Sequence, residues 1–489
     1  MKISKNKISG AHIAFLTVSV ITIFVCAFKA EALYARIFVL PLTYFLCSLT
    51  LSMQRKRSLT VCIFDFCAFL RYVILPFFES LYPVYGFSAY KCYNQELITK
   101  SIFLMSYELV FLTVFILFIL TVRRAKYNKP KKIVPLMSSL RFDNSSNDFR
   151  AVWIFVALSA ALVVIRPSTL QQISFIAIKS DTGIRLGAEA SQASTVDMIA
   201  RQFFIVGFLS LFVVLTYKLR TANIGNRKAL NVSLLLAVLC TCVIISEQRS
   251  SQVYCAFATI ILLIQLYPEK KRKIIRIISA AGVLIIALLS VYKTFYAFKY
   301  GSYAGAVAAS DFSFKSLTQT LETYLLGPQS VASALDFQNA YPQYSSIKQL
   351  MFDVLRSTIG LNFFVKNSGT RLTSAQYNLF VTGGDSTSGY LLPISAQGSI
   401  VFGMVLSPLL MCVILRIAFY LENKMFNTKS AYLSFFMAYV YIRLATCLVS
   451  SNINTVLNAL SSVLISAGIV YFIQHVLSKV CTVSKGREL

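Results

Sequence analysis

Histidine is almost missing from this chain, with only His12 and His475 among 489 residues. Both sit beside apolar runs near the membrane boundary and read as interfacial side chains, which excludes a histidine base in an outer loop. No D-x-D pair stands in an outer loop either, so a carboxylate-held divalent metal is not expected. The phosphate-cradling patterns G-x-x-x-x-G-K-[ST] and G-x-G-x-x-G do not occur, which removes ATP drive and dinucleotide chemistry. Paired C-x-x-C spacing is missing, and acidic residues are scarce, 19 against 47 Lys and Arg. No cofactor is implied.

What the chain has instead is long apolar sequence. It is 57% hydrophobic with a mean hydropathy of +0.68. A bilayer core of about 30 Å needs about 20 helical residues to cross it, and runs of that length recur about twelve times. They fall at 8–28, 33–53, 59–78, 98–122, 151–165, 199–217, 229–246, 251–267, 274–292, 391–415, 431–449 and 456–477. The expected fold is therefore all-α: a polytopic integral membrane protein, residues 1–489 forming a single membrane domain, with a large helical outer loop.

Charge sets the orientation. Lys5 and Lys7, Arg55 to Arg57, Arg123 to Lys132, Lys218 to Lys228, Lys270 to Lys273, Lys424 with Lys429, and Lys479 to Arg487 all fall on one side. By the positive-inside rule that side is cytoplasmic, and an even number of spans puts both termini there. The net charge of +28 is thus largely an orientation signal, and nucleic acid is not needed to explain it. Lys5, Lys7 and Ala30-Glu31-Ala32 imitate a signal peptide, but the first apolar run exceeds the usual cleaved length and is expected to remain as a helix. Cysteines lie mostly within spans as packing residues, with Cys92 alone in an outer loop.

The outer loops carry the unusual features. The segment 293–388 is too long to lack secondary structure, and it holds two helical patterns. Phe314, Leu317, Leu321, Tyr324 and Leu325 share one face; Ile347, Leu350, Met351, Val354, Leu355 and Ile359 share another. Two amphipathic helices along the outer interface are expected, separated by breaks at Gly327-Pro328 and Tyr341-Pro342. A second loop, 166–198, and a tight tip, Glu247 to Ser250, complete that face. Against the orientation bias these loops retain Arg166, Arg185, Arg249, Arg356 and Arg371, which suggests an anionic ligand. Within the apolar runs stand Asp65, Arg71, Glu108, Arg201 and Arg443, residues costly enough in lipid to face the bundle interior. They read either as internal ion pairs, such as Glu108 with an arginine, or as a basic pocket under the outer surface. Arg249 opens a helix, so its guanidinium and the helix N-terminus would meet the same anion; Glu247 beside it orients that arginine or acts as a base.

This layout resembles the bacterial O-antigen polymerases, the Wzy-type oligosaccharide repeat unit polymerases. Three places carry the resemblance beyond topology: Glu247-Gln248-Arg249-Ser250-Ser251 before an aliphatic helix, Tyr324-Leu325-Leu326-Gly327-Pro328, and Gly389-Tyr390 with Gly398 leading into Ile400-Val401-Phe402-Gly403. The resemblance implies a metal-independent glycosyltransferase acting at the periplasmic face of the bacterial inner membrane on undecaprenyl-pyrophosphate-linked glycans. A chain-length regulator and a flippase of the same pathway would be its partners. Arg249, Arg166, Arg185 and Arg201 would contact the pyrophosphate, with Arg356, Arg371 and Arg443 behind them. Glu247, Glu322 and Asp336 are the candidate bases for the acceptor hydroxyl.

Three other classes share parts of this pattern. O-antigen ligases have the same topology but are expected to carry a histidine in the large outer loop, where this chain has none. A polysaccharide flippase or other secondary transporter suits twelve spans, but such proteins keep outer loops short and bind substrate at mid-membrane. A eukaryotic-type lipid-linked glycosyltransferase would place acidic residues in a large first outer loop, which here is only Lys29 to Ala32.

Overall fold

The computed structural model describes residues 10–53, 58–126, 146–165, 173–175, 195–222, 226–245, 249–296, 313–365, 368–384, 390–428, 430–450 and 452–485. The described chain is helical apart from two short antiparallel ladders, Gly86–Phe87 with Tyr90–Lys91 and Ile173–Phe175 with Val243–Ile245. Among the described residues six helices are long and apolar enough to cross a membrane, and up to eight if each of two sharply bent pairs is one span. Two further apolar helices, Arg150–Ile165 and Ala431–Ala445, are shorter. Large apolar side chains such as Phe28, Phe118, Val283 and Phe472 stand exposed on these helices. In water that surface would be unfavourable; in a bilayer it is the expected outside of a membrane-embedded protein.

Contacts divide the chain into two compact units. The first comprises Met1–Lys131, Asp311–Phe419 and Arg443–Asn458. Its four long helices run Gly10–Lys29, Val39–Ser52, Leu59–Leu81 and Gln95–Lys126. The third changes pitch midway, because Pro76 cannot donate a backbone hydrogen bond and the turn before it, Leu70–Ile74, widens to a π-helix. On the side where this helix hands over to Gln95–Lys126, a run of shorter helices docks: Phe314–Leu325, Pro328–Ala340, Ile347–Ser357 and Thr373–Thr382. The second unit comprises Lys132–Ser310, Tyr420–Ile442 and Ala459–Leu489. There the Ser146–Ile165 and Thr195–Thr221 helices approach so closely at Gly207 that an added Cβ would lie 2.6 Å from Ser159 Cβ. Ser434 Oγ donates to Gln265 Oε1 at 2.7 Å and ties Ala431–Ala445 to Arg249–Leu266.

The two amphipathic helices form where expected, and their orientation explains their composition. Thr318, Glu322 and Leu325 turn inward from Phe314–Leu325, while Phe314, Leu317 and Tyr324 face out. Gln349, Asp353 and Ser357 turn inward from Ile347–Ser357, while Ile347 and Met351 face out. Polar stripes inside and apolar stripes outside invert the pattern of a water-soluble protein. It is the arrangement for helices with protein on one side and lipid on the other. The next turn, Leu361–Phe364, continues the apolar surface with Phe363 80% and Phe364 77% exposed.

His12 is not interfacial as expected. It is buried, with Nδ1 3.1 Å from Asp65 Oδ2, and Asp65 also accepts from Ser48 Oγ at 2.7 Å and Tyr44 Oη at 3.0 Å. A carboxylate in an apolar helix needs such partners, and this histidine is one of them.

Candidate functional site

Arg71 occupies the π-helical turn, and its guanidinium is buried at the centre of the first unit. Nη1 donates to Glu108 Oε2 at 3.1 Å and to the Leu448 carbonyl at 3.2 Å; Nε donates to the Leu326 carbonyl at 3.0 Å. Tyr72 Oη donates to the same Glu108 oxygen at 3.2 Å. Of the two readings open for the charges at depth, this arginine takes the ion pair. It fastens the corner between Phe314–Leu325 and Pro328–Ala340, and the Cys447–Ser450 turn, to the Leu59–Leu81 span.

That corner is the Leu325-Leu326-Gly327-Pro328 segment. Leu326 takes a left-handed conformation, φ 55°, and ends the first helix. Pro328 starts the next, where its missing N–H costs nothing. Between them Gly327 has no room for a side chain: a Cβ would fall 2.0 Å from Glu322 Oε2 and 2.3 Å from Leu75 Cδ2. Gly327→Ala is expected to lower stability by about 1–3 kcal/mol, the usual cost of overpacking, measured by thermal melting of detergent-solubilised protein.

Glu322 is fully buried, and Oε1 accepts from the Ser330 N–H at 2.7 Å. It thereby caps the N-terminus of Pro328–Ala340, which lacks a side-chain cap of its own. Burial pushes the Glu322 carboxyl above its ordinary range, while its contacts with Glu79 and Ser330 and the charge of Arg71 pull it back. Asp353 does the same for the Thr373–Thr382 helix, its Oδ1 accepting from Thr373 N–H at 3.1 Å. Burial pushes this carboxyl up as well, against the pull of the Thr373 and Gln349 hydrogen bonds. Beside the corner, Gln329 Nε2 donates to Tyr34 Oη at 2.9 Å and to the Val84 carbonyl at 3.2 Å.

A second feature lies further along the docked helices. Phe337 is buried among Tyr341, Tyr344, Tyr377 and Phe380, with ring centroids 5.2 to 5.8 Å from its own. Tyr90, Tyr341, Tyr344, Phe380 and Tyr390 are only half-buried, so the cluster presents ring faces at its edge. Asp336, also half-buried, accepts from Tyr90 Oη at 3.1 Å. Arg371 is exposed, donates from Nη1 to Gln376 Oε1 at 3.3 Å, and acts electrostatically on Tyr344. Aromatic faces, hydroxyls, a carboxylate and a guanidinium thus meet on one rim.

Of the expected site residues, Arg166, Arg185 and Glu247 lie outside the described residues. Arg249 is the first residue of the Arg249–Leu266 helix, as its sequence context suggested, and Arg201 belongs to Thr195–Thr221; only the backbone of these two is described. The ladder pairs Ile173 with Ile245 and Phe175 with Val243, so Ile173–Phe175 lies backbone to backbone against the strand that ends two residues before Glu247 in the sequence. Arg356 is half-buried at the end of Ile347–Ser357, and Arg443 is half-buried in the last turn of Ala431–Ala445. Asp336 and Arg371 meet around the aromatic rim, whereas Glu322 is enclosed at the corner. Sequence reasoning missed Glu79, which falls one residue beyond the span drawn to Phe78, and it missed the aromatic rim. Among the described residues no three His, Cys, Asp or Glu gather as a metal site would require. Compared with known protein families, curated proteins and solved structures, the chain has no significant match in any of the three.

Proposed function

We propose that this protein is a glycosyltransferase that polymerises undecaprenyl-pyrophosphate-linked repeat units into O-antigen or capsular polysaccharide at the periplasmic face of the bacterial inner membrane. In this reading about twelve crossings leave both termini in the cytoplasm. The observation that carries it is the aromatic rim with Asp336, on helices packed beside two others, Phe314–Leu325 and Ile347–Ser357, whose apolar stripes face outward. A sugar offers apolar C–H faces to rings and hydroxyls to carboxylates, and a lipid-borne sugar is delivered at the membrane surface.

The chemistry needs neither nucleotide nor metal. Asp336 takes the proton of the acceptor hydroxyl, whose oxygen attacks the anomeric carbon of the growing chain. The bond from that carbon to the pyrophosphate oxygen breaks, and the negative charge left on the diphosphate needs guanidinium donors, for which the sequence offers Arg249, Arg166, Arg185 and Arg201. Arg356, Arg371 and Arg443 supply the wider positive field. Removing one preorganised donor of this kind costs about 10²–10³ in rate. Arg249→Ala should therefore replace the ladder of long chains on lipid A by single repeat units while the amount of protein is unchanged, read on a polysaccharide gel with an immunoblot. An intact ladder in that variant removes Arg249 from the site, and an intact ladder in the deletion strain removes the polymerase reading.

One observation favours a secondary transporter instead. The Ile394–Leu406 and Leu409–Asn427 helices bend by 108° at their junction, and Ser395, Gln397 and Ser399 are buried on the first without side-chain partners among the described residues. Broken helices with free polar groups line substrate paths in transporters. Movement of intact lipid-linked repeat units across proteoliposomes, without chain growth, would establish that reading.

A further inference from the structure

We infer that Glu79 and Glu322 form a proton-binding site that latches the Phe314–Leu325 and Pro328–Ala340 helices onto the Leu59–Leu81 span within the first unit. Both side chains are fully buried, Glu79 from the Leu75–Leu81 segment and Glu322 from the Phe314–Leu325 helix that packs on it, and their carboxyl groups lie within hydrogen-bonding reach of each other. Neither oxygen of Glu79 meets a donor from any other described residue, and Glu322 Oε2 has none either. Two carboxyl groups hydrogen-bond to each other only with a proton between them.

The surroundings decide where the proton stays. Glu322 accepts the Ser330 N–H, sits at a helix N-terminus and lies within the field of Arg71, all of which favour its negative charge. Glu79 faces no cation, so the proton belongs there. Of the other ionisable groups around the pair, the Cys26 thiol donates to the Pro76 carbonyl, the Tyr34 hydroxyl to the Val84 carbonyl, and Tyr377 reaches Ser333; Arg71 gives Nη1 and Nε to Glu108 and to the Leu448 and Leu326 carbonyls, which leaves Nη2 as the one guanidinium nitrogen without a partner among the described residues. The Gln329 amide oxygen, fully buried beside Tyr34, is one more acceptor without a donor among the described residues. An acceptor-rich, donor-poor pocket calls for a small positive ligand, and a proton is the one that a carboxyl pair binds directly. Gly327 and Leu75 close its wall, leaving no space for a side chain.

Loss of the proton sets two carboxylates against each other across the seam between the span and the outer helices. The folded pair binds a proton that free carboxyls release near pH 4, so the sign follows: stability is complete at low pH and falls as pH rises through the titration of the folded pair. The slope is at most tenfold in the folded-to-unfolded ratio per pH unit for one proton. The inference does not rest on the proposed glycosyltransferase activity.

The test is thermal melting of the purified full chain in detergent from acid to alkaline pH, with E79Q, E322Q and, as an exposed control, E96Q. Wild type and E96Q should lose stability with rising pH, while E79Q and E322Q, whose amides hold hydrogens that do not titrate here, should lose that slope. Infrared spectra of wild type should show a protonated-carboxyl C=O band that shifts in D2O and is missing from E79Q. That measurement decides the matter if E322Q fails to fold. A slope that persists in E79Q, or a spectrum of wild type without the band, overturns the inference. Stabilisation at high pH by sodium but not by choline, lost in E79Q, would also overturn it in favour of a metal cation.

Discussion

Arg71→Ala should lower the stability of the folded protein by about 3–5 kcal/mol, the usual consequence of breaking a buried ion pair from one side. The guanidinium holds Glu108 and the carbonyls of Leu326 and Leu448, so its removal leaves a buried carboxylate without its cation, kept only by the Tyr72 hydroxyl, and takes a donor from two backbone acceptors. Arg71→Lys keeps the charge but not the planar fork that reaches three oxygens at once, and should recover only part of the loss. Arg71→Met combined with Glu108→Leu should recover more, because no uncompensated charge remains inside. Denaturant or thermal unfolding in detergent measures all three. Equal stability of Arg71→Ala and wild type would show that the outer helices are not held through this residue.

Gly398→Ala should be as damaging, through sterics instead of charge. A Cβ there would fall 2.0 Å from the Ser407 carbonyl oxygen and 2.9 Å from its carbon, and backbone cannot rotate away as a side chain can. Accommodating it means opening the 108° bend between Ile394–Leu406 and Leu409–Asn427. The cost should exceed the ordinary overpacking range of about 1–3 kcal/mol, seen as loss of monodisperse protein on size exclusion. Gly403 is the contrasting case. It has open space around it but a φ of 76° with ψ 172°, so Gly403→Ala should cost about 1–3 kcal/mol of backbone strain without a clash.

The difference between these glycines marks what was readable in the sequence. Gly327-Pro328 announces a helix break by local chemistry alone, and the break forms with Leu326 in the left-handed region. The Arg71 clasp was not readable in detail. It joins residues 255 and 377 positions apart, and the cost of burying an arginine says only that partners exist. Periodicity gave the stripes of Phe314–Leu325 and Ile347–Ser357, but a stripe does not say whether lipid or protein lies on it. Glu322 reads from the sequence as a candidate base, and nothing local marks it or Asp353 as the cap of a neighbouring helix that each becomes once its face turns inward. The Val243–Ile245 strand was hidden because its three β-branched residues also extend an apolar run drawn to Ser246. Arg249 needed no tertiary contact to be placed at a helix start, since the polar tip before it and the aliphatic run after it suffice.

The most direct measurement is chain growth in vitro. Purified protein in liposomes, given only a lipid-linked repeat unit and a chelator, should yield a ladder of longer lipid-linked glycans, and Asp336→Asn should abolish it while the protein melts as wild type does. Substrate that stays one unit long, in protein shown to be folded by its melting curve, would contradict the polymerase reading.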